Sequence, residues 1–283
     1  MEPEVYMQVK NTVKKFYNID LNHYKDEQMK RRLDSWLARS RMQNWAEYFH
    51  LLSDNSVERD RFRNYLTINV TEFFRDPDRW TALRHDVLPG LLKNLERIPD
   101  RRSGTGSFGT VGPGETGSSG GLRVWSAGCS IGVEAYTLSI LLEEESPHRP
   151  HYLLATDFDR GALQKASARG PYIAEEIRNL NPDQRARYLI QQKNQYFIKE
   201  TISKRVTFRE QDMLNDKFEN GFDLIVCRNV VIYFTSEAKT TLYHKFQAAL
   251  RPGGVLFMGG TEIIPRPTDI GLRNYGISFY MKV

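Results

Sequence analysis

Four short apolar runs constrain this chain most: residues 122–127 (LRVWSA), 152–156 (YLLAT), 223–227 (DLIVC) and 255–258 (VLFM). Helix-like stretches follow three of them. One runs from the turn at Gly128 to about Glu145. The next spans 160–168 and is stopped by Gly170-Pro171. The third spans 236–250, with Ser236 as N-cap and Arg251-Pro252-Gly253-Gly254 as stop signal. Strands alternating with helices predict a mostly parallel, doubly wound α/β sheet with helices on both faces. A final strand is expected at 277–283. Residues 181–212 break the alternation. A short helix at 182–189 and strand-like runs at 196–198 and 206–209 read as a small inserted β-subdomain, at about 181–211, and not as a sheet strand with its crossover.

The N-terminal part has a different period. The first 85 or so residues contain almost no glycine. Met29, Leu33, Trp36 and Leu37 repeat at i, i+4, i+7 and i+8, one apolar helix face. Trp45, Tyr48, Phe49 and Leu52 repeat that spacing, and Phe62, Tyr65, Leu66 and Ile68 line a third helix over 57–68. Asp76-Pro77 reads as an N-cap with proline at the first helical position, opening a helix through Leu83. Between the two parts, residues 101–121 hold eight glycines among 21 residues, a composition expected of a mobile linker. They lack the GxxxxGK[ST] pattern of a phosphate-binding loop. The expected division is a helical domain at 1–85, a linker helix and glycine-rich segment at 86–121, and the sheet domain at 122–283.

Composition narrows the class. No apolar run approaches the ~18 residues of a membrane span, and the N-terminus lacks the apolar core of a signal peptide. Cys129 and Cys227 form no disulfide framework and no zinc-ligand spacing, so a reducing cytoplasm and no metal are expected. The net charge of +5 is mild, and basic residues concentrated on one face matter more than the total.

Ligands of such sheets bind at the carboxyl ends of the strands. The first strand ends in Gly128-Cys129-Ser130-Ile131-Gly132, a glycine turn into a helix N-terminus, without the dinucleotide GxGxxG. It is either a ligand cradle or only a tight turn. The second strand ends in Asp157, placed to accept both hydroxyls of a ribose; the alternative is a helix cap, for which Asp159 is better placed. Arg228 and Asn229 interrupt an apolar run at the ligand edge of the next strand. Burying them unpaired would cost roughly 1–3 kcal/mol each, so polar partners are expected.

Five motifs together carry a family resemblance: NVTEFFRD (69–76), RVWSAGCSIGVEAY (123–136), ATDFD (155–159), FDLIVCRNVVIYF (222–234) and LRPGGVLFMGGTE (250–262). In this order they resemble the CheR-type chemotaxis receptor methyltransferases, over nearly the whole chain outside the glycine-rich segment. The resemblance implies a class I methyltransferase sheet. It also implies methyl transfer from S-adenosylmethionine to glutamate side chains of chemoreceptor helices, with S-adenosylhomocysteine as product. By position, Asn69, Thr71 and Arg75 would reach the cofactor from the helical junction. Gly128 would border it, Glu134 and Asp157 would hold its amino-acid and ribose portions, Asp212 and Met213 would flank the adenine, and Asn229 and Val230 would complete the pocket. The chain has Val133-Glu134 where the family often has a Glu-Glu pair, and Asp212 where it often has Asn.

A glutamate carboxylate, with a pKa near ~4.3, is already ionised at neutral pH and needs no general base. Arg75 and Tyr233 are the candidates for orienting it. The alternatives are cofactor contact alone for Arg75 and core packing for Tyr233. Lys30, Arg31, Arg32, Arg39 and Arg41, against Asp34, form a basic helix that either steers acidic receptor helices or is simply a solvated face. Amine methyltransferases commonly carry an (Asn/Asp)-Pro-Pro-(Tyr/Phe) turn after the fourth strand, and this chain has Arg228-Asn229-Val230-Val231 there. A binding module that has lost catalysis is the other competing class.

Further expectations are a cytoplasmic monomer, no nucleic-acid partner and no membrane insertion. Both cysteines are expected near the cofactor edge, on neighbouring strands. The insertion is expected to face the receptor through Lys193, Lys199, Lys204 and Arg205. Its glycine-free stretch 189–195 is expected to be a short loop, and the receptor's C-terminal peptide to be held weakly or not at all.

Overall fold

A computed structural model describes residues 1–67, 69–97 and 120–283. Ile68 and most of the glycine-rich segment lie outside the described residues, and so does the linker expectation.

Four helices open the chain: α1 (Pro3–Tyr17), α2 (Asp26–Ser40), α3 (Trp45–Asp54) and α4 (Ser56–Leu66). Their apolar stripes meet in one core that includes Val9, Leu33, Trp36, Tyr48, Leu52 and Phe62. Asn44 and Asn55 start α3 and α4 by accepting the N–H of Glu47 and of Glu58, both at 3.0 Å, as N-caps do. Beyond Leu66 the packing changes partner. Phe73, Phe74, Trp80, Leu83, Val87 and Leu91 join Val124, Leu153, Val255 and Phe257 of the sheet. They lie on α5 (Pro77–Ala82), a π-helical turn (Leu83–Val87) and α6 (Leu88–Arg97), or just before them. The packing division therefore falls near residue 70, whereas helical composition placed it near 85. Asp76 sits at the N-cap position of α5, but its φ is 57° and its side chain makes no cap bond.

The sheet contains β1 (Arg123–Ala127), β2 (Tyr152–Asp157), β5 (Val206–Glu210), β6 (Phe222–Cys227), β7 (Leu250–Met258), β8 (Leu272–Asn274) and β9 (Phe279–Lys282). Their order is β5-β2-β1-β6-β7-β9-β8. The first five are parallel, and β9 and β8 run antiparallel at the far edge. Helix α7 (Val133–Glu145) packs on the face shared with the junction segment, and α11 (Ser236–Ala249) on the other. Thr235, not Ser236, caps α11, accepting the Ala238 N–H.

The sheet corrects the reading of residues 206–209. They form β5, paired in parallel with β2 from Leu153↔Val206 to Asp157↔Glu210. The insertion is smaller: α9 (Pro182–Tyr188), a hairpin of β3 (Leu189–Gln192) and β4 (Gln195–Ile198), and α10 (Glu200–Ser203). The expected loop at 189–195 is mostly β3. The strand itself was read, but its place in the main sheet was not, because its sequence VTFRE is half-buried on one face only and lacks the continuous apolar run of β1 or β6.

Candidate active site at the carboxyl edge of the sheet

The ends of β1, β2 and β6 meet the helical junction around a cavity of about 610 Å³, within the usual range for small-ligand sites. Asn69, Thr71, Arg75, Gly128, Glu134, Asp157, Asp212, Met213, Asn229, Val230 and Tyr233 all line it.

The turn after β1 allows a ligand close approach. Gly128 has φ 80°, and a Cβ there would lie 2.7 Å from Val230 Cγ2, so a larger residue would both strain the backbone and collide. Its N–H and that of Cys129 donate to the Thr156 carbonyl at 2.8 and 2.9 Å, tying β1 to β2. The Ser130 N–H donates to Asp157 Oδ2 at 2.7 Å, and the Asp159 N–H to Oδ1 at 2.8 Å. One lone pair of each oxygen is thereby used and the carboxylate is aimed. Burial pushes the Asp157 pKa up to about 6, against those two N–H donors.

The junction is bolted to this edge. Ser130 Oγ donates to Asn69 Oδ1 at 2.6 Å, and Asn69 Nδ2 donates to Asp159 Oδ2 at 2.8 Å, where the Thr67 hydroxyl also donates. Asp159 in turn caps α8 (Arg160–Ser167) through the N–H groups of Gly161 and Ala162, as its position in the sequence implied.

Glu134 stands in the first turn of α7 and accepts from Ser126 Oγ at 2.8 Å. Burial raises its pKa to about 7, opposed chiefly by the positive charge of Arg228. Arg228 is buried against Trp80 and Phe257, its guanidinium 5.4 and 4.9 Å from their ring centres, and pairs with Asp76 at 2.6 Å. This is its polar partner, and it explains why Asp76 does not cap α5.

Asn229 has φ 59° and is braced by Glu262, a residue sequence reasoning left without a role. Glu262 Oε2 accepts the Asn229 N–H at 2.8 Å and the Gly259 N–H at 2.7 Å, and Oε1 accepts from Ile232 at 3.3 Å. Asn229 Oδ1 has no partner among the described residues. Tyr233 ends a 3-10 turn (Val231–Tyr233) and lines the cavity instead of packing in a core. Asp212 closes its own turn by accepting the Leu214 N–H at 2.8 Å, which sets Met213 beside Gly128.

Some expectations separate. Cys129 lines the cavity, but Cys227 faces the α11 side with Trp125, Leu242 and Phe246. Alternation along β6 turns its thiol away from the pocket. Of the basic residues on and beside α2, Arg31, Arg39 and Arg41 are exposed, and Arg31 lines the cavity mouth. Arg32 is not a free surface cation: it donates to the Tyr65 carbonyl and lies 4.4 Å from the centre of the Tyr65 ring. Lys30 rests 5.1 Å from the Tyr6 ring centre. On the insertion, Lys199 donates to the Ala186 carbonyl at 2.9 Å, and Lys204 and Arg205 pair with Glu200 and Glu143. Among the described residues, Lys193 alone of that set has no such tie.

A mostly parallel sheet in this order, with an acid closing β2 and a glycine turn closing β1, defines the architecture of class I S-adenosylmethionine-dependent methyltransferases. The family model described as "CheR methyltransferase, SAM binding domain" matches residues 113–275, and "CheR methyltransferase, all-alpha domain" matches residues 4–67. The chain is 39% identical over 277 residues to a chemotaxis protein methyltransferase of Listeria innocua, covering 98% of this chain and 97% of that protein. A chemotaxis protein methyltransferase of Borreliella burgdorferi is 30% identical over 88% of this chain and 84% of its own length. The chain belongs to the CheR methyltransferase family. It is accordingly an S-adenosylmethionine-dependent methyltransferase of chemotaxis, and glutamate on chemoreceptors is the family's standard methyl acceptor. The cavity fits that cofactor: it offers aimed, half-used carboxylate oxygens at Asp157, a buried acid at Glu134, and the unpartnered Asn229 Oδ1. No described helix is long and apolar enough to cross a membrane.

Proposed function

We propose that the residues lining this cavity bind S-adenosylmethionine and align a receptor glutamate for methyl transfer. The convergence of the eleven residues named above on one cavity is the observation that supports this best. Asp157 offers its remaining lone pairs to the two ribose hydroxyls. Met213 and Val230, both within 4 Å of where a Gly128 Cβ would lie, make apolar walls for the adenine, beside the turn that Asp212 closes. Glu134, balanced by Arg228, meets the amino group of the methionine portion. Asn69, Thr71 and Arg75 close the junction side, and Asn229 completes the pocket.

When bound, the cofactor supplies a methyl group on a positively charged sulfur. The protein has to bring an already ionised carboxylate into line with it. Arg75 and Tyr233 hold that carboxylate, Arg75 by charge and Tyr233 by its hydroxyl. The surrounding burial excludes water, and partners of opposite charge that cancel as the methyl moves gain from a low-dielectric wall. Arg31, Arg39 and Arg41 steer an acidic receptor helix to the mouth. The enzyme acts in the cytoplasm as a monomer, with neither nucleic acid nor membrane as partner.

Incubation with a receptor cytoplasmic fragment and methyl-labelled cofactor tests this. Label released by mild base is the expected result. Base-stable label would mean amine methylation, and no transfer to any receptor would leave a binding module; either outcome overturns the proposal.

A further inference from the structure

Tyr24 belongs to the helical part by sequence, lying between a 3-10 turn (Leu21–His23) and α2. Yet its side chain lines the cavity at the sheet edge. Two backbone hydrogen bonds hold it there. The Lys25 N–H donates to the Tyr233 carbonyl at 3.0 Å, and the Thr235 N–H donates to the His23 carbonyl at 2.8 Å. Between them Tyr24 and Phe234 form a single antiparallel pair, their rings edge to face with centres 5.0 Å apart. The Tyr24 ring also packs against both the helical core and the α11-side core.

The ring is therefore fixed from two sides, but its hydroxyl is not used. It has no hydrogen-bond partner among the described residues, and it is not one of the sealed polar atoms. A phenol left open at a cavity wall is a donor available to whatever fills the cavity. Burial, and then the charges of Asp212 and Asp157, keep this phenol protonated and a donor. The cluster around Glu134 feels Arg228, Glu262 and Arg75 instead.

We propose that Tyr24 is a cofactor-contacting residue, its hydroxyl donating to the nucleoside and its ring closing the cavity from the helical side. This rests on the cavity being the S-adenosylmethionine site. It assigns a wall of that site to a residue from the helical part, far in sequence from the strand-end motifs.

Calorimetric titration of the full chain with S-adenosylhomocysteine and with 5′-methylthioadenosine, which lacks the amino-acid portion, tests it without turnover. Tyr24→Phe keeps the ring and removes the hydroxyl. It is expected to weaken both ligands equally, by roughly fivefold, as for one neutral hydrogen bond, with the ligand-free Tm unchanged. Tyr24→Ala is expected to weaken both further. Unchanged affinities in Tyr24→Phe, or a loss confined to S-adenosylhomocysteine, would overturn the proposal. Wild-type protein that binds neither ligand would overturn the reading of the cavity itself, and the proposal with it.

Discussion

Arg228 Nη2 lies 2.6 Å from Asp76 Oδ2, so the residue that follows β6 is paired with the one that opens α5. The Arg228 side chain is 2% exposed and the Asp76 side chain 51%. The pair fixes the junction that carries Asn69, Thr71 and Arg75 against the edge of the sheet. Asp76→Asn would leave a buried guanidinium short of its counter-charge. Because Asp76 is half in water, the cost is expected at about 1–2 kcal/mol rather than the larger penalty of a fully buried pair. Urea unfolding of the two proteins measures it. Cofactor affinity should fall in the same variant, and equal stability and affinity would show that the pair fixes nothing.

The cofactor carries two positive groups and one carboxylate, so it favours ionised Glu134 and Asp157. In the ligand-free protein burial holds their pKa values at about 7 and about 6. Affinity should be full above pH 7 and fall as pH drops through 7 and then 6, by up to about tenfold per unit for each proton that must leave. Folding has the opposite sign. These acids bind protons more tightly folded than unfolded, so they add stability as pH falls from 7 toward the ordinary carboxylate range. Titrations in buffers of different ionisation heat should detect proton release at pH 6.5, and Glu134→Gln should remove the upper step. A pH-independent Kd between 8 and 6 would contradict this.

Reversing Arg39 and Arg41 to Glu should raise the receptor KM by roughly 3- to 10-fold and flatten its salt dependence, with cofactor affinity unchanged. Arg32→Glu should act differently. Its guanidinium is packed on Tyr65 and bonded to the Tyr65 carbonyl, so that change should lower Tm first. Receptor kinetics indifferent to the double reversal would make the basic face a solvated surface only.

The hairpin of β3 and β4 offers little to an added strand. On its outer edge β4 is already joined to Tyr172, with Tyr172 and Tyr196 exchanging both N–H···O bonds at 2.8 and 2.9 Å. A receptor C-terminal peptide ending in an aromatic residue should show no binding at millimolar concentration. Micromolar affinity by calorimetry would mean that the outer edge of β3, or a side-chain pocket, suffices.

The sheet was legible where both faces of a strand are buried, as in β1 and β6, because burial writes a continuous apolar run. At β5 the strand was legible but its membership of the sheet was not, because it lies at the edge with β2 as its one sheet neighbour and is half-buried on one face only. Glu134 came only with the family resemblance, whereas Asp157 could be picked out because a strand end gives a local clue. Asp76 misled for the same reason: locally it reads as a cap, and only Arg228, 152 positions away, shows what it does instead. Glu262 and Tyr24 act through partners that no spacing rule connects, such as Asn229 and Phe234.

The backbone bonds that join residues 23–25 to 233–235 also set a timetable. Chains emerge from the ribosome N-terminus first and fold by units as they do. The core that includes Tyr6 and Leu66 can assemble while the rest is still being translated. The cavity cannot, because its lining runs from Ile19 to Phe234 and its brace at Glu262 comes later still. The nascent protein is thus blind to its methyl donor until Glu262 has been made, and the donor can act as a folding ligand only on a chain extended that far.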